Sequence, residues 1–198
     1  RANYKYGSKY LATVSARIDG SSRFGANNKY GFFPAGSVGW ILTEEEFLKS
    51  SSTLSLLKLK GSYGLTGNAE IGNFDHLGLY GSASYGLIPG LVPSQIPNPN
   101  LTWEKTGQLD IGVEFAFFND RLTGEFDYYN KKTTDLLLNV PVPATSGFLV
   151  QRQNIGAMEN RGFEIVLNSV NVIKPNFSWN TSFNFARNRR SEEHTSEL

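Results

Sequence analysis

The sequence predicts an all-β protein: an antiparallel transmembrane β-barrel segment of about seven meandering strands forming an open, curved sheet. Three observations predict it. Apolar and polar residues alternate over segment after segment, aromatic residues gather near the segment ends, and long connections alternate with short ones. Successive strand residues point to opposite faces, so alternation makes one face apolar and the other polar. A membrane barrel turns the apolar face to lipid and the polar face to its lumen, with aromatic girdles at both interfaces.

Leu57 to Thr66 shows the alternation most clearly, with Leu57, Leu59, Tyr63 and Leu65 opposite Lys58, Lys60, Ser62 and Thr66. From about Tyr10 to Asp19, Tyr10, Ala12, Val14, Ala16 and Ile18 oppose Thr13, Ser15, Arg17 and Asp19. From about Gly31 to Leu42, Phe32, Val38, Trp40 and Leu42 fall together. A long segment from about Thr102 to Phe117 sets Trp103, Leu109, Ile111, Val113, Phe115 and Phe117 against Glu104, Thr106, Gln108, Asp110 and Glu114. Lys105 breaks that pattern near an end, where a long side chain snorkels to the interface. After the tight turn at Phe118 to Arg121, Leu122, Phe126 and Tyr128 oppose Thr123, Glu125, Asp127 and Lys131. Phe163, Ile165 and Leu167 then oppose Glu164 and Asn168, and Phe177, Trp179, Phe183 and Phe185 oppose Ser178, Asn180, Ser182 and Asn184.

Long connections rich in Gly, Asn and Pro occupy about Gly20 to Tyr30, Gly67 to Leu101 and Asp135 to Asn154, while Asn119 to Arg121 and Ser169 to Asn176 are shorter. Thr43 to Ser55 is intermediate, and Thr43 is placed to cap one helical turn. Long extracellular loops and short periplasmic turns are the habit of such barrels. Counting up and down puts Trp40, Phe117, Phe177 and Trp179 near the periplasmic membrane interface and Trp103 near the outer one.

Composition excludes several alternatives. A net charge of +1, from 19 basic and 18 acidic residues, gives no electrostatic case for nucleic acid. The absence of cysteine removes disulfides, thiolate metal sites and cysteine nucleophiles. No apolar run approaches the roughly 18–20 residues of a membrane helix. His76 lies outside any nucleophile-elbow context and reads as a solvated loop residue rather than a catalytic one. Gly61, Gly64 and Gly67 sit in strand context and lack the Gly-Lys-Ser/Thr of a phosphate loop. The run Glu44 to Glu46 reads as a helix start rather than a metal site. No catalytic residue, metal site or cofactor is therefore expected, and the protein is not expected to be an enzyme.

Six strings occur in order: Asp19-Gly-Ser-Ser-Arg-Phe-Gly25; Tyr30-Gly-Phe-Phe-Pro34 leading to Gly39-Trp40; Leu59-Lys-Gly-Ser-Tyr-Gly-Leu-Thr-Gly-Asn68; Asn98-Pro-Asn-Leu-Thr-Trp-Glu104; Asp127-Tyr-Tyr-Asn-Lys-Lys-Thr-Thr-Asp-Leu-Leu137; and Glu159-Asn-Arg-Gly-Phe-Glu164. Together they resemble the SusC/RagA-type TonB-dependent transporters of the bacterial outer membrane, over essentially Tyr6 to Asn188. The resemblance implies a barrel of about 22 strands filled by a plug. It further implies a SusD-like surface lipoprotein as partner, the TonB complex as energy source, and an oligosaccharide or peptide as imported solute. Residues 1–189 are expected to be a partial barrel, lacking the plug and closing strands. Residues 190–198 look like an adapter-derived or non-native tail.

Arg17, Lys58, Lys60, Glu104, Gln108, Asp110, Glu114, Glu125 and Asp127 are the expected lumen-facing polar residues. They either contact a hydrated solute or the plug, or satisfy one another and water. Phe74, Tyr80 and Tyr85, in the longest loop, are candidates for stacking on substrate rings, or for packing the loop on itself. Two other readings share the alternation: a passive porin-like barrel, and a soluble β-sandwich carbohydrate-binding module.

Overall fold

The computed structural model describes residues 1–193. Twelve strands are formed: β1 (Ala2–Tyr6), β2 (Tyr10–Gly20), β3 (Tyr30–Ile41), β4 (Leu54–Asn68), β5 (Leu79–Tyr85), β6 (Ile88–Gln95), β7 (Glu104–Phe117), β8 (Leu122–Thr134), β9 (Leu137–Pro141), β10 (Val150–Asn154), β11 (Ala157–Lys174) and β12 (Phe177–Glu193). Eight of them make one sheet in the order β1-β2-β3-β4-β7-β8-β11-β12, every pairing antiparallel. The sheet is open, with β1 and β12 at its edges. Within this sheet the strands other than β1 run from 11 to 18 residues, enough for a tilted strand to cross hydrocarbon about 30 Å thick.

Register carries the alternation from strand to strand. One cross-strand row runs Tyr6, Tyr10, Trp40, Leu59, Val113, Phe126, Ile165, Phe185 through all eight strands without a polar residue. Val14, Ile18, Phe32 and Val38 share that face and stand 60–70% exposed. The opposite face holds a hollow of about 710 Å³ lined from β2, β3, β4, β7, β8 and β11 together. Six neighbouring strands can line one hollow only if the sheet curves around it, so the polar face is concave. A sandwich would bury the apolar face against a second sheet; here it is bare.

Seven sequence segments correspond to β2, β3, β4, β7, β8, β11 and β12. Four differences are physical. β1 adds a strand before the first expected one, joined through Gly7 and Ser8, both left-handed with φ of 56° and 57°. The two longest loops contain hairpins, β5–β6 and β9–β10. Leu42 to Glu44 form a short 3-10 turn without a side-chain cap, and the Thr43 hydroxyl instead accepts from the Leu57 amide at 3.5 Å. Strand β12, which the alternation carried only to Phe185, continues to Glu193 and pairs Arg190 with Asn160 and Glu192 with Met158. Residues 194–198 of the expected tail lie outside the described residues.

The two ends of the sheet differ as expected. One carries the turns 7–9, 118–121 and 175–176 and the connection 42–53; the other carries the long loops. Phe118, Asn119 and Asp120 are all left-handed, with φ of 56°, 55° and 63°. Neighbours hold that strained turn on both sides. Phe118 N donates to Thr53 O at 2.8 Å, and the Arg121 guanidinium donates to Val170 O and Asn171 O at the β11 bulge.

Candidate functional site

The concave wall is a network of paired charges. Lys58 and Glu114, opposite each other on β4 and β7, meet at 3.0 Å. Lys60 lies across from Gly112 and, beyond it, Asp127. Gly112 carries no Cβ, and one placed there would collide with both Lys60 and Asp127. Lys60 therefore reaches across β7 to Asp127 at 2.9 Å, to Glu125, and to Glu114 at 3.6 Å. Nearby, Gln108 Nε2 donates to Asp110 at 2.9 Å and Ser62 Oγ donates to it at 3.3 Å. Arg17 pairs with Asp19 at 2.7 Å, and Glu104 accepts from Asn68 Nδ2 and from the Leu137 amide, each at 3.4 Å. Each of the nine polar residues singled out in the sequence has a protein partner, the arrangement of a wall that satisfies itself.

Above the wall, the long loops are fastened together. Phe24, Phe33, Ile71, Leu101, Trp103 and Leu137 form a buried cluster drawn from β3 and all three long connections. Trp103 packs edge-on to Phe33, with centroids 5.5 Å apart, and lies 5.4 Å from Phe24. Polar side chains then bind loop backbones: Asn28 Nδ2 to Leu101 O, Arg23 to Ala69 O, Asn98 Nδ2 to Arg152 O, and Asn154 to both Thr102 and Asp135. His76 Nδ1 lies 2.8 Å from Arg23 O, so this histidine ties a loop rather than standing solvated.

Trp103 was expected at the outer membrane interface. It is only 6% exposed and belongs to the loop cluster instead, because the chain before β7 folds beneath the loops. Trp40, Phe117, Phe177 and Trp179 lie at the opposite end of the sheet; Phe177 and Trp179 are more than half exposed. Phe74, Tyr80 and Tyr85 stand well exposed, so they do not pack the loop. Tyr80 and Tyr85 occupy opposite faces of the β5–β6 hairpin, being five positions apart on one strand. The structure therefore does not gather them into one stacking platform.

A cluster at the end with short connections had no sequence signal beyond its acidic run. Glu45 accepts from Lys9 Nζ at 2.8 Å, Tyr10 OH at 2.8 Å and Trp40 Nε1 at 3.1 Å. Chiefly the Lys9 bond, then those from Tyr10 and Trp40, hold its carboxyl down at about 2. The same bond to Glu45 raises the Lys9 ammonium above its ordinary value. Tyr6, Tyr10 and Trp40 stack in sequence beside it, with centroids 6.5 Å and 6.2 Å apart. Among the described residues, no group of three or more His, Asp and Glu side chains is arranged to hold a metal ion.

An open antiparallel sheet, apolar on its outer face and charged along its concave one, with long loops at one end and turns at the other, is a piece of β-barrel wall. The family model for the TonB dependent receptor-like β-barrel matches residues 1–196, and the chain belongs to that family. It is 46% identical over 194 residues to TonB-dependent receptor P3 of Formosa agariphila, covering 96% of this chain and 19% of that protein. It is 41% identical over 197 residues to TonB-dependent receptor SusC of Bacteroides thetaiotaomicron, covering 95% of this chain and 20% of that one. Among solved structures, the RagAB peptide importer in its 'closed-closed' state superposes with a TM-score of 0.88 at 38% identity, over 96% of this chain and 21% of that chain. Its 'open-open' state gives 0.90 at 37% identity, over 99% and 22%. The chain thus spans about a fifth of the length of these relatives.

Proposed function

We propose that this chain is part of the barrel wall of an outer-membrane importer that moves oligosaccharides or peptides inward, powered through TonB and working with a SusD-like surface lipoprotein. The observation that supports it best is the pair of faces on one sheet. An unbroken apolar row crosses all eight strands, and the concave reverse is lined with charge. Lipid suits the first, a hydrated interior the second. Relatives named as TonB-dependent receptors and a peptide importer of the same local fold point the same way. The self-paired wall fits a scaffold around a moving part, and the long loops offer the residues free to meet solute.

The test is uptake by cells carrying the full-length receptor, using labelled oligosaccharides and labelled oligopeptides in parallel. Import of one class that stops when TonB is removed supports the proposal and selects the solute. Import that persists without TonB identifies a passive pore instead.

A further inference from the structure

The β3–β4 connection, residues 42–53, is much longer than the three turns at its end of the sheet. It does not hang free. Glu45 is held by Lys9, Tyr10 and Trp40 at 2.8–3.1 Å. Register places Tyr10 and Trp40 in the apolar cross-strand row, so the connection is fastened to the outer face of the wall and away from the concave hollow. Two residues beyond the fastening, Phe47 stands 70% exposed. Phe47 thus follows, two residues on, a carboxylate bonded to Tyr10 and Trp40 of the apolar row, and the chain holds an exposed phenyl near the aromatic end of that face.

We infer that residues 44–49 are a membrane-contact segment, with Phe47 entering the boundary between headgroups and acyl chains and Glu45 as the residue that positions it. The inference rests on the membrane-barrel reading above. Local charge selects the kind of leaflet. Glu44, Glu45 and Glu46 outnumber Lys9 and Lys49, so the segment carries net negative charge and suits zwitterionic headgroups rather than an anionic surface. Exposed Phe47 is accounted for by lipid, where a soluble surface would leave it in water.

The experiment uses the full-length receptor in vesicles of phosphatidylethanolamine and phosphatidylcholine, carrying one nitroxide label at a time. Labels replace Phe47 (Phe47→Cys), Val14 on the apolar face as a lipid reference (Val14→Cys), and Asn176 in a turn as a water reference (Asn176→Cys). Accessibility to oxygen and to a water-soluble nickel chelate is compared. The inference expects the Phe47 label to be several-fold richer in oxygen contact relative to nickel than the Asn176 label. Adding Glu45→Gln should shift it toward the Asn176 value without moving the Val14 label. A Phe47 label in water beside a Val14 label in lipid overturns the inference and leaves the barrel reading standing. Both labels in water overturn the barrel reading itself. A lipid-exposed Phe47 label indifferent to Glu45→Gln overturns the positioning role.

Discussion

Asn154 and Thr102 hold each other by two reciprocal hydrogen bonds: the Thr102 amide donates to Asn154 Oδ1 at 2.9 Å, and Asn154 Nδ2 donates to Thr102 O at 2.8 Å. The side-chain amide acts as a borrowed peptide group, pairing with backbone more than fifty residues away. The same Nδ2 also donates to Asp135 O. Asn154→Ala leaves these half-buried groups without partners, at a cost of about 1–3 kcal/mol. Faster amide exchange confined to residues 98–103 and 135–156 is the expected outcome; unchanged exchange would show that the tie contributes nothing.

Phe33 lies over two glycines. A Cβ at Gly31 or Gly67 would strike its ring, and the ring in turn packs against Trp103. Gly67→Ala should push the ring off its seat and destabilise the barrel by about 1–3 kcal/mol, as overpacking does. Phe33→Ala should cost about 3–5 kcal/mol, because the ring is almost fully buried. Urea unfolding of the refolded full-length barrel measures both, and the order of the two effects checks the packing.

Lys60 serves three carboxylates, Glu114, Glu125 and Asp127. Lys60→Met leaves them facing one another, whereas Glu125→Gln removes one negative charge and keeps an amide oxygen that can accept from Lys60. The lysine change should therefore be the more destabilising. The coupling between the two in a double-mutant cycle should be about 0.5–1 kcal/mol, since the pair is partly exposed. Zero coupling would show the ion pair to be incidental.

The Glu45 clasp has a defined pH window. Its folded carboxyl value of about 2 lies below the ordinary 4.5, so its stabilisation is complete above 4.5 and is lost as pH falls through 2. Lys9 is shifted upward, so its share is complete below 10.5 and fades as pH rises through its raised value. A nitroxide at position 47 should stay immobile between these limits and loosen reversibly as pH falls from 4.5 toward 2. With Glu45→Gln it should be loose already at neutral pH. A label insensitive to both changes would rule out the clasp.

Much of the sheet was legible because a period of two survives in a single chain: Leu57, Leu59, Tyr63 and Leu65 declare their face without help from neighbours. The loop hairpins were less legible. Gly81, Gly86, Pro89, Gly90 and Pro93 give β5–β6 the composition of an irregular loop, and Pro141 and Pro143, at and just past the end of β9, do the same there. Trp103 was misplaced because parity counts residues within a strand, and Trp103 precedes β7 by one. The loop cluster and the Glu45 clasp join residues far apart in sequence. Phe33 and Glu45 have ordinary neighbours, and only the fold reveals what each touches. The charges of the concave face were identifiable by alternation, but their pairing depends on register and on the gap at Gly112.

The apolar row from Tyr6 to Phe185 also bears on how such a wall is assembled. If any one strand slipped by a single residue, its charged positions would exchange places with its apolar ones. For β4 that slip would turn Lys58 and Lys60 to the apolar face beside Trp40, away from the carboxylates of Glu114 and Asp127 that they meet now. A slipped β4 would set a lysine into the apolar row between Trp40 and Val113, so the register and the facing of each strand are fixed together.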